Sequence, residues 1–429
     1  MTEQQAPSLI ASQEARANLY KAIGPGILVA CAAIGGSHLV WSTRAGAEFG
    51  WSLLGLILLA NLFKFPFFLY GQRYTAATGE SLLAGYHRHG AIFVWIFFVI
   101  NILTGTINIA GVAMLSGALF AGYGLGGVTV PHLTVLLLAV CALLLILGRY
   151  GILDGLAKGI IVFLAMSTMA AVLLALGKGQ VVPPGFSAPS PWTLVSFSFL
   201  ISLLGWMPAP VDLSAWSSLW MFSRGEQTGH FATPRETSID FYLGYFATVV
   251  LAVFFLALGA LVMHGSGAAF SESGIGFSQQ FVALYTESIG AWSRPLILTA
   301  AFVTMFSTTI TCLDGYPRSL AACCTLLGGL PVHCFSRIHR LWVVIATAGA
   351  ALVVLFLVEN LVQLLTFAAV VSFLTSPVLA YINYRVMNGP NVPPEQRPGL
   401  LLKVLSWLGL IFFLAMGAGY VYVTFLRAA

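Results

Sequence analysis

Ile34-Gly35-Gly36-Ser37-His38 lies near the middle of the first long apolar stretch of this chain. Gly205-Trp206-Met207-Pro208-Ala209-Pro210 interrupts the sixth in the same way. Glycine loses the most backbone entropy in a helix, and proline lacks an N–H and clashes with the preceding turn. Both stretches therefore break a helix where a bilayer-spanning one should be continuous. Irregular backbone at membrane depth persists only where it lines a buried or water-filled cavity. Paired breaks in corresponding places of two halves point to a transport site at the bilayer midplane.

Composition agrees. Hydrophobic residues make up 59% of the chain and charged residues 8%, against about 25% charged in soluble domains. The chain reads as an all-α polytopic membrane protein with the lipid bilayer as its surroundings. The net charge of +5 is scattered over short loops, which excludes a nucleic-acid surface. The six cysteines show no CxxC spacing, and five lie in apolar segments, so they are expected to be buried and reduced. No cleavable signal is expected, because the first 22 residues are polar and the first apolar run exceeds a signal h-region. Neither a nucleophile–base pair nor a multi-ligand metal spacing occurs, so an enzyme is not expected, nor is a cofactor.

About 20 apolar residues cross the hydrocarbon core. Such runs fall near 23–48, 51–75, 91–122, 131–148, 150–177, 193–221, 238–264, 293–326, 339–358, 360–386 and 400–426. These divisions predict about 11 transmembrane helices behind a cytoplasmic tail, 1–22. A transport domain, 23–386, holds repeat 1 (23–177) and repeat 2 (193–386), and 400–426 is an additional helix. An odd number of spans per repeat inverts the second, giving a 5+5 inverted repeat with helices 1 and 6 broken. Most of the 19 Lys and Arg residues fall on one side if the N-terminus is inside, while Lys178, Arg294 and Arg427 fall on the other. That bias predicts a cytoplasmic N-terminus and, for a bacterial chain, the inner (plasma) membrane. The loop 264–290 is expected to hold a short surface helix around Ser278 to Tyr285.

An unwound helix exposes N–H groups on one side and carbonyls on the other. Half-helix N-termini favour anions and the carbonyl ends favour cations. Gly35, Gly36, Ser37 and His38 at the first break, and Leu204, Met207 and Ala209 at the second, are the candidate substrate-binding residues. His38 is a candidate metal ligand, a proton carrier or a capping partner for the exposed backbone. Met207 is a candidate soft ligand or a gap-filler beside Trp206. In Ser307-Thr308-Thr309-Ile310-Thr311, the hydroxyls of Ser307, Thr308 and Thr311 could hold Na⁺ with carbonyls of the first break, or bond back to their own helix. Asp212 could meet a coupling H⁺ or cation, or cap the half-helix after Pro210. Arg44 and Glu48, Asp154 and Lys158, and Asp314 and Arg318 stand four apart and can pair. Lys64, before Phe65-Pro66, is expected to snorkel or pair. Asn101, Thr104, Thr106 and Asn108 make the third segment polar without a carboxylate.

Gly24-Pro25-Gly26-Ile27-Leu28-Val29-Ala30, Ala45-Gly46-Ala47-Glu48-Phe49-Gly50-Trp51 and Ala60-Asn61-Leu62 resemble the opening of the Nramp family of divalent metal transporters. Met207-Pro208 resembles the start of that family's Met-Pro-His motif, and Phe367 to Pro377 its tenth helix. The resemblance implies a LeuT-type fold. The departures fall on the family's functional positions. Its Asp-Pro-Gly-Asn motif aligns with Gly35, Gly36, Ser37 and His38, and its histidines with Ala209 and Ser214. Its acidic pair aligns with Gly105 and Asn108, and its tenth-helix Gln with Ala369. The resemblance implies alternating-access transport of a divalent metal cation of the Mn/Fe type at an altered site. Residue chemistry alone also allows a proton- or sodium-coupled transporter of a small organic or anionic solute, and a non-transporting membrane sensor.

Overall fold

Met207 ends one half-helix in extended conformation (φ −88°, ψ 116°), and Ile34 ends another (φ −76°, ψ 80°). Both breaks stand where the glycines and prolines fall. The computed structural model describes residues 18–124, 127–148, 150–179, 185–266, 270–271, 273–357 and 360–426. These residues are helical with no strand among them.

The first span is α1 (Pro25–Ala33) and, beyond the break, a π-helical turn (Ser37–Ser42) running into α2 (Thr43–Phe49). A bend at Gly50 (φ 60°) leads to α3 (Leu54–Thr78) and the short α4 (Leu82–His89). Then follow α5 (Ala91–Ala121), α6 (Val130–Ile146) and α7 (Tyr150–Lys178). The second broken span is α8 (Phe197–Trp206) with α9 (Leu213–Thr228). Behind it come α10 (Pro234–Val262), the loop helix α11 (Gly274–Ile289), α12 (Arg294–Leu327), α13 (Phe335–Leu352), α14 (Leu361–Met387) and α15 (Leu400–Val421). The helix expected around Ser278 to Tyr285 is α11, which is longer than expected and half-buried, with Ser278 and Tyr285 themselves buried. Seven described helical stretches are long and apolar enough to cross a membrane; one of them, Ser37–Thr78, runs through both α2 and α3. Asp154 and Lys158 lie in α7, but their side chains, like most of the tail 1–22, fall outside the described residues.

The packing mirrors the two halves. The first broken span packs on α10 and the second half of the other on α3, while α5 packs on α12 at the centre. The α12 span is 72% buried, whereas the spans containing α13 and α15 are 22% and 28% buried. The former is core and the latter two are periphery. Small residues allow the closest crossings. At Gly26 and Gly244, α1 and α10 meet backbone to backbone, as do α2 and α10 at Gly46 and Gly259; a Cβ at any of the four would strike main-chain atoms. Without a hydrophobic drive between helices in lipid, such close backbone contact is a main source of association. Helix α10 opens on a capping box in which Thr233 and Glu236 satisfy each other's backbone N–H.

Candidate functional site

Pro208 has no N–H, so the carbonyl of Leu204 loses its i+4 partner, and the extended Met207 carries Ala209 away from Gly205. The last turn of α8 closes with Met207 N–H donating to Leu203 O at 3.1 Å. The exposed oxygens do not face water. Lys64 Nζ, on α3, donates to Leu204 O at 2.7 Å, Gly205 O at 2.8 Å and Ala209 O at 2.9 Å. Its side chain is 0% exposed, so of the two expected behaviours, snorkelling and pairing, it does not snorkel; it seals the carbonyl side of the second break. Asp212 lies within electrostatic reach of Lys64.

The first break is satisfied differently. Thr308 Oγ1, on α12, stands 3.0 Å from Cys31 O, 3.2 Å from Ile34 O and 3.1 Å from Thr304 O. Ser37 Oγ donates to Ala33 O at 2.5 Å. The glycines here permit close approach: a Cβ at Gly36 would enter the Trp206 indole, and one at Gly35 would lie 2.8 Å from Thr308 Cγ2.

Between the breaks is a cavity of ≈30 Å³, about one water in size, lined among others by Gly36, Ser37, Asn108, Trp206, Ala209 and Thr308. Trp206 Nε1 donates to Asn108 Oδ1 at 2.9 Å, and Asn108 Nδ2 donates to the Tyr316 hydroxyl at 2.8 Å. The Tyr316 hydroxyl in turn lies within electrostatic reach of Asp212. Asp212 occupies the N-cap position of α9 with no side-chain cap hydrogen bond. Its Oδ1 and the indole Nε1 of Trp216 are buried without a partner.

The sequence-derived candidates fall in different places. Gly36, Ser37, Ala209 and Thr308 line the cavity, and Leu204 contributes its carbonyl to Lys64. His38 does not line it. Its Nε2 lies 2.9 Å from Thr248 O, and Nδ1 lies 2.6 Å from Ser37 Oγ and 3.1 Å from Ala33 O. A carbonyl only accepts, so Nε2 carries a proton and presents no lone pair to a metal. Met207 is fully buried outside the lining, before a cis bond to Pro208. Ser307 is buried, and Thr311 bonds back to Ser307 O at 2.6 Å. No group of three His, Cys, Asp or Glu side chains converges among the described residues.

Two pairs read from four-residue spacing are formed. Arg44 holds Glu48 at 2.7 Å and lies over the Trp41 and Phe199 rings; Arg318 holds Asp314 at 2.8 Å. Asp314 also accepts from Trp220 Nε1 at 2.9 Å, which ties α9 to α12. Sequence reasoning missed the roles of Lys64 and Asn108. A lysine in mid-span was the available signal for the first, since a buried charge at membrane depth demands partners.

A family profile described as natural resistance-associated macrophage protein-like, Nramp, matches residues 26–423. A protein of Pasteurella multocida (strain Pm70) described as uncharacterized is 40% identical over 413 residues, 94% of this chain and 93% of its own. A divalent metal cation transporter of Latilactobacillus sakei is 28% identical over 64% of this chain and 61% of its own. Among solved structures, a mutant manganese transporter of Eremococcus coleocola superposes with TM-score 0.66 at 17% identity, covering 93% of this chain and 85% of that one. MhsT in complex with L-phenylalanine gives TM-score 0.60 at 12% identity, over 92% and 98%. These likenesses establish a LeuT-type fold.

Proposed function

The chain belongs to the Nramp family, a family of metal-ion transporters, and on that premise we propose that it carries a divalent metal cation by alternating access through the paired breaks. It is a membrane transporter and not an enzyme. The observation that supports a cation most directly is the convergence of the Leu204, Gly205 and Ala209 carbonyls on one positive charge, with buried Asp212 within electrostatic reach. Carbonyl ends of broken helices favour cations. The cargo is a Mn²⁺ or Fe²⁺ type ion, met by these oxygens, Asp212 and the Met207 thioether, with the N-terminus cytoplasmic in a bacterial inner membrane. His38 holds the second half of the broken helix to Thr248 in this reading.

The coupling ion we propose is Na⁺ at Thr308, where the hydroxyl already meets carbonyls from the first broken helix. Thr308→Val keeps the side-chain shape and deletes the oxygen. Uptake by the native chain is expected to fall when choline replaces Na⁺, and by about tenfold in Thr308→Val with Na⁺ present, the factor that 1.4 kcal/mol represents. Uptake indifferent to Na⁺ and to this change assigns coupling to H⁺.

A second reading, transport of a small organic or anionic solute, is favoured by Trp216, which lines the cavity and has an unpartnered Nε1–H. Mn²⁺ uptake into proteoliposomes holding a metal-quenched dye separates the two. Saturable uptake is expected, weakened about tenfold in Met207→Ala through loss of one soft ligand. His38→Ala is expected to cost about 1–3 kcal/mol of stability through its abandoned carbonyl partners, with uptake reduced less than in Met207→Ala. Absence of Mn²⁺, Fe²⁺ and Mg²⁺ flux from folded protein would sink the metal reading and leave the solute.

A further inference from the structure

We infer that Lys64 is a tethered stand-in for the carried cation, filling the carbonyl cage of the second break while the transporter returns empty. The inference rests on the cation reading above and adds the residue that makes a net transport cycle possible.

The geometry is that of a bound ion. Three oxygens lie 2.7–2.9 Å from one nitrogen, and an ammonium has three N–H donors, one for each. The neutral amine has only two, and its lone pair would face an oxygen. The oxygens come from both sides of Pro208, so the side chain bridges the break itself. Three carbonyls converging in a water-poor interior with no positive partner repel one another and lack hydrogen bonds. A carrier that has released its cation would have to cross its occluded state in that condition. Lys64 removes the difficulty, because it is anchored on α3 and cannot leave with the cargo.

A second observation concerns Asp212, which lies within electrostatic reach of Lys64. Asp212 is 3% exposed, and its Oδ1 has no hydrogen-bond partner. An arriving metal ion finds an unfilled carboxylate oxygen beside a cage held by a weaker, singly charged occupant. Displacing Lys64 exchanges a monovalent ligand for a divalent one on the same oxygens. Cargo and Lys64 therefore compete for the cage.

Transport in reconstituted vesicles tests this. Two rates are compared: exchange of external radioactive Mn²⁺ for internal Mn²⁺, and net uptake into Mn²⁺-free vesicles. Exchange never requires the empty return, and net uptake does. In the native protein the two rates are expected to agree within about threefold, since the return is not the slow step. In Lys64→Gln, the ratio of net uptake to exchange is expected to fall by about tenfold or more. A Lys64→Gln protein in which both rates fall together, although Mn²⁺ still raises its melting temperature, overturns the inference. So does a native protein whose net uptake is more than about tenfold slower than exchange, a result that needs no variant to fold. Native protein that neither exchanges nor takes up Mn²⁺ overturns the cation reading itself, a different failure from either of these.

Discussion

Gly36→Leu is expected to reduce uptake to background. The added Cβ would enter the Trp206 ring, and the rest of the side chain would fill a ≈30 Å³ cavity. Trp206 cannot retreat without giving up its 2.9 Å bond to Asn108 Oδ1, which in turn orients Tyr316. Overpacking a filled site costs about 1–3 kcal/mol, and the broken Trp206–Asn108 bond adds about 1 kcal/mol. Gly36→Ala isolates the collision from the filling, and there uptake is expected to fall by about tenfold or more, the equivalent of 1.4 kcal/mol. Uptake and thermal melting measured together check this. Native uptake by Gly36→Ala would mean that the two breaks do not work against each other.

Asp240→Ala is expected to detach the first half-helix. Helix α1 begins at Gly24-Pro25, and no side chain of its own caps it. The missing acceptor comes from α10. The buried Asp240 carboxylate takes Gly24 N–H at 3.0 Å and Gly26 N–H at 2.5 Å, with the charge set at the positive end of the helix dipole. Arg224 at the end of α9 adds bonds to the carbonyls of Lys21 and Tyr20, at 2.8 and 3.2 Å. Each bond to a charged acceptor contributes about 1.5–3 kcal/mol, so losing both shifts a closed–open equilibrium by about 100-fold or more. Cys31 on α1 is 2% exposed and serves as the reporter once the remaining cysteines are replaced. Its maleimide labelling is expected to accelerate at least about tenfold in Asp240→Ala, and less in Asp240→Asn, which keeps one acceptor. Unchanged labelling would show that Gly26 and Gly244 alone hold the half-helix in place.

What the sequence reveals of this fold follows the range of the forces involved. Spans, breaks and two of the three four-residue pairs were legible because their causes are local. Apolar runs of helical length seek lipid, Pro208 and Pro210 lack N–H groups, and Gly35-Gly36 has no Cβ. Arg44 meets Glu48, and Arg318 meets Asp314, because a helix places positions four apart side by side. The site itself was only partly legible. Thr308 was a candidate because hydroxyls cluster in its helix, but nothing local distinguished it from Thr311, which bonds back one turn.

By itself the sequence determined a polytopic helical protein with two interrupted spans, and it determined the backbone atoms those interruptions would leave unpaired. Only the tertiary structure decided what satisfies them: Lys64 from 140 residues away at Leu204, and Thr308 from 274 residues away at Ile34. The physical reason is that a broken helix creates a hydrogen-bonding demand locally. In a bilayer, water cannot meet that demand, so it is met by whichever distant side chain the packing of the two repeats brings within about 3 Å.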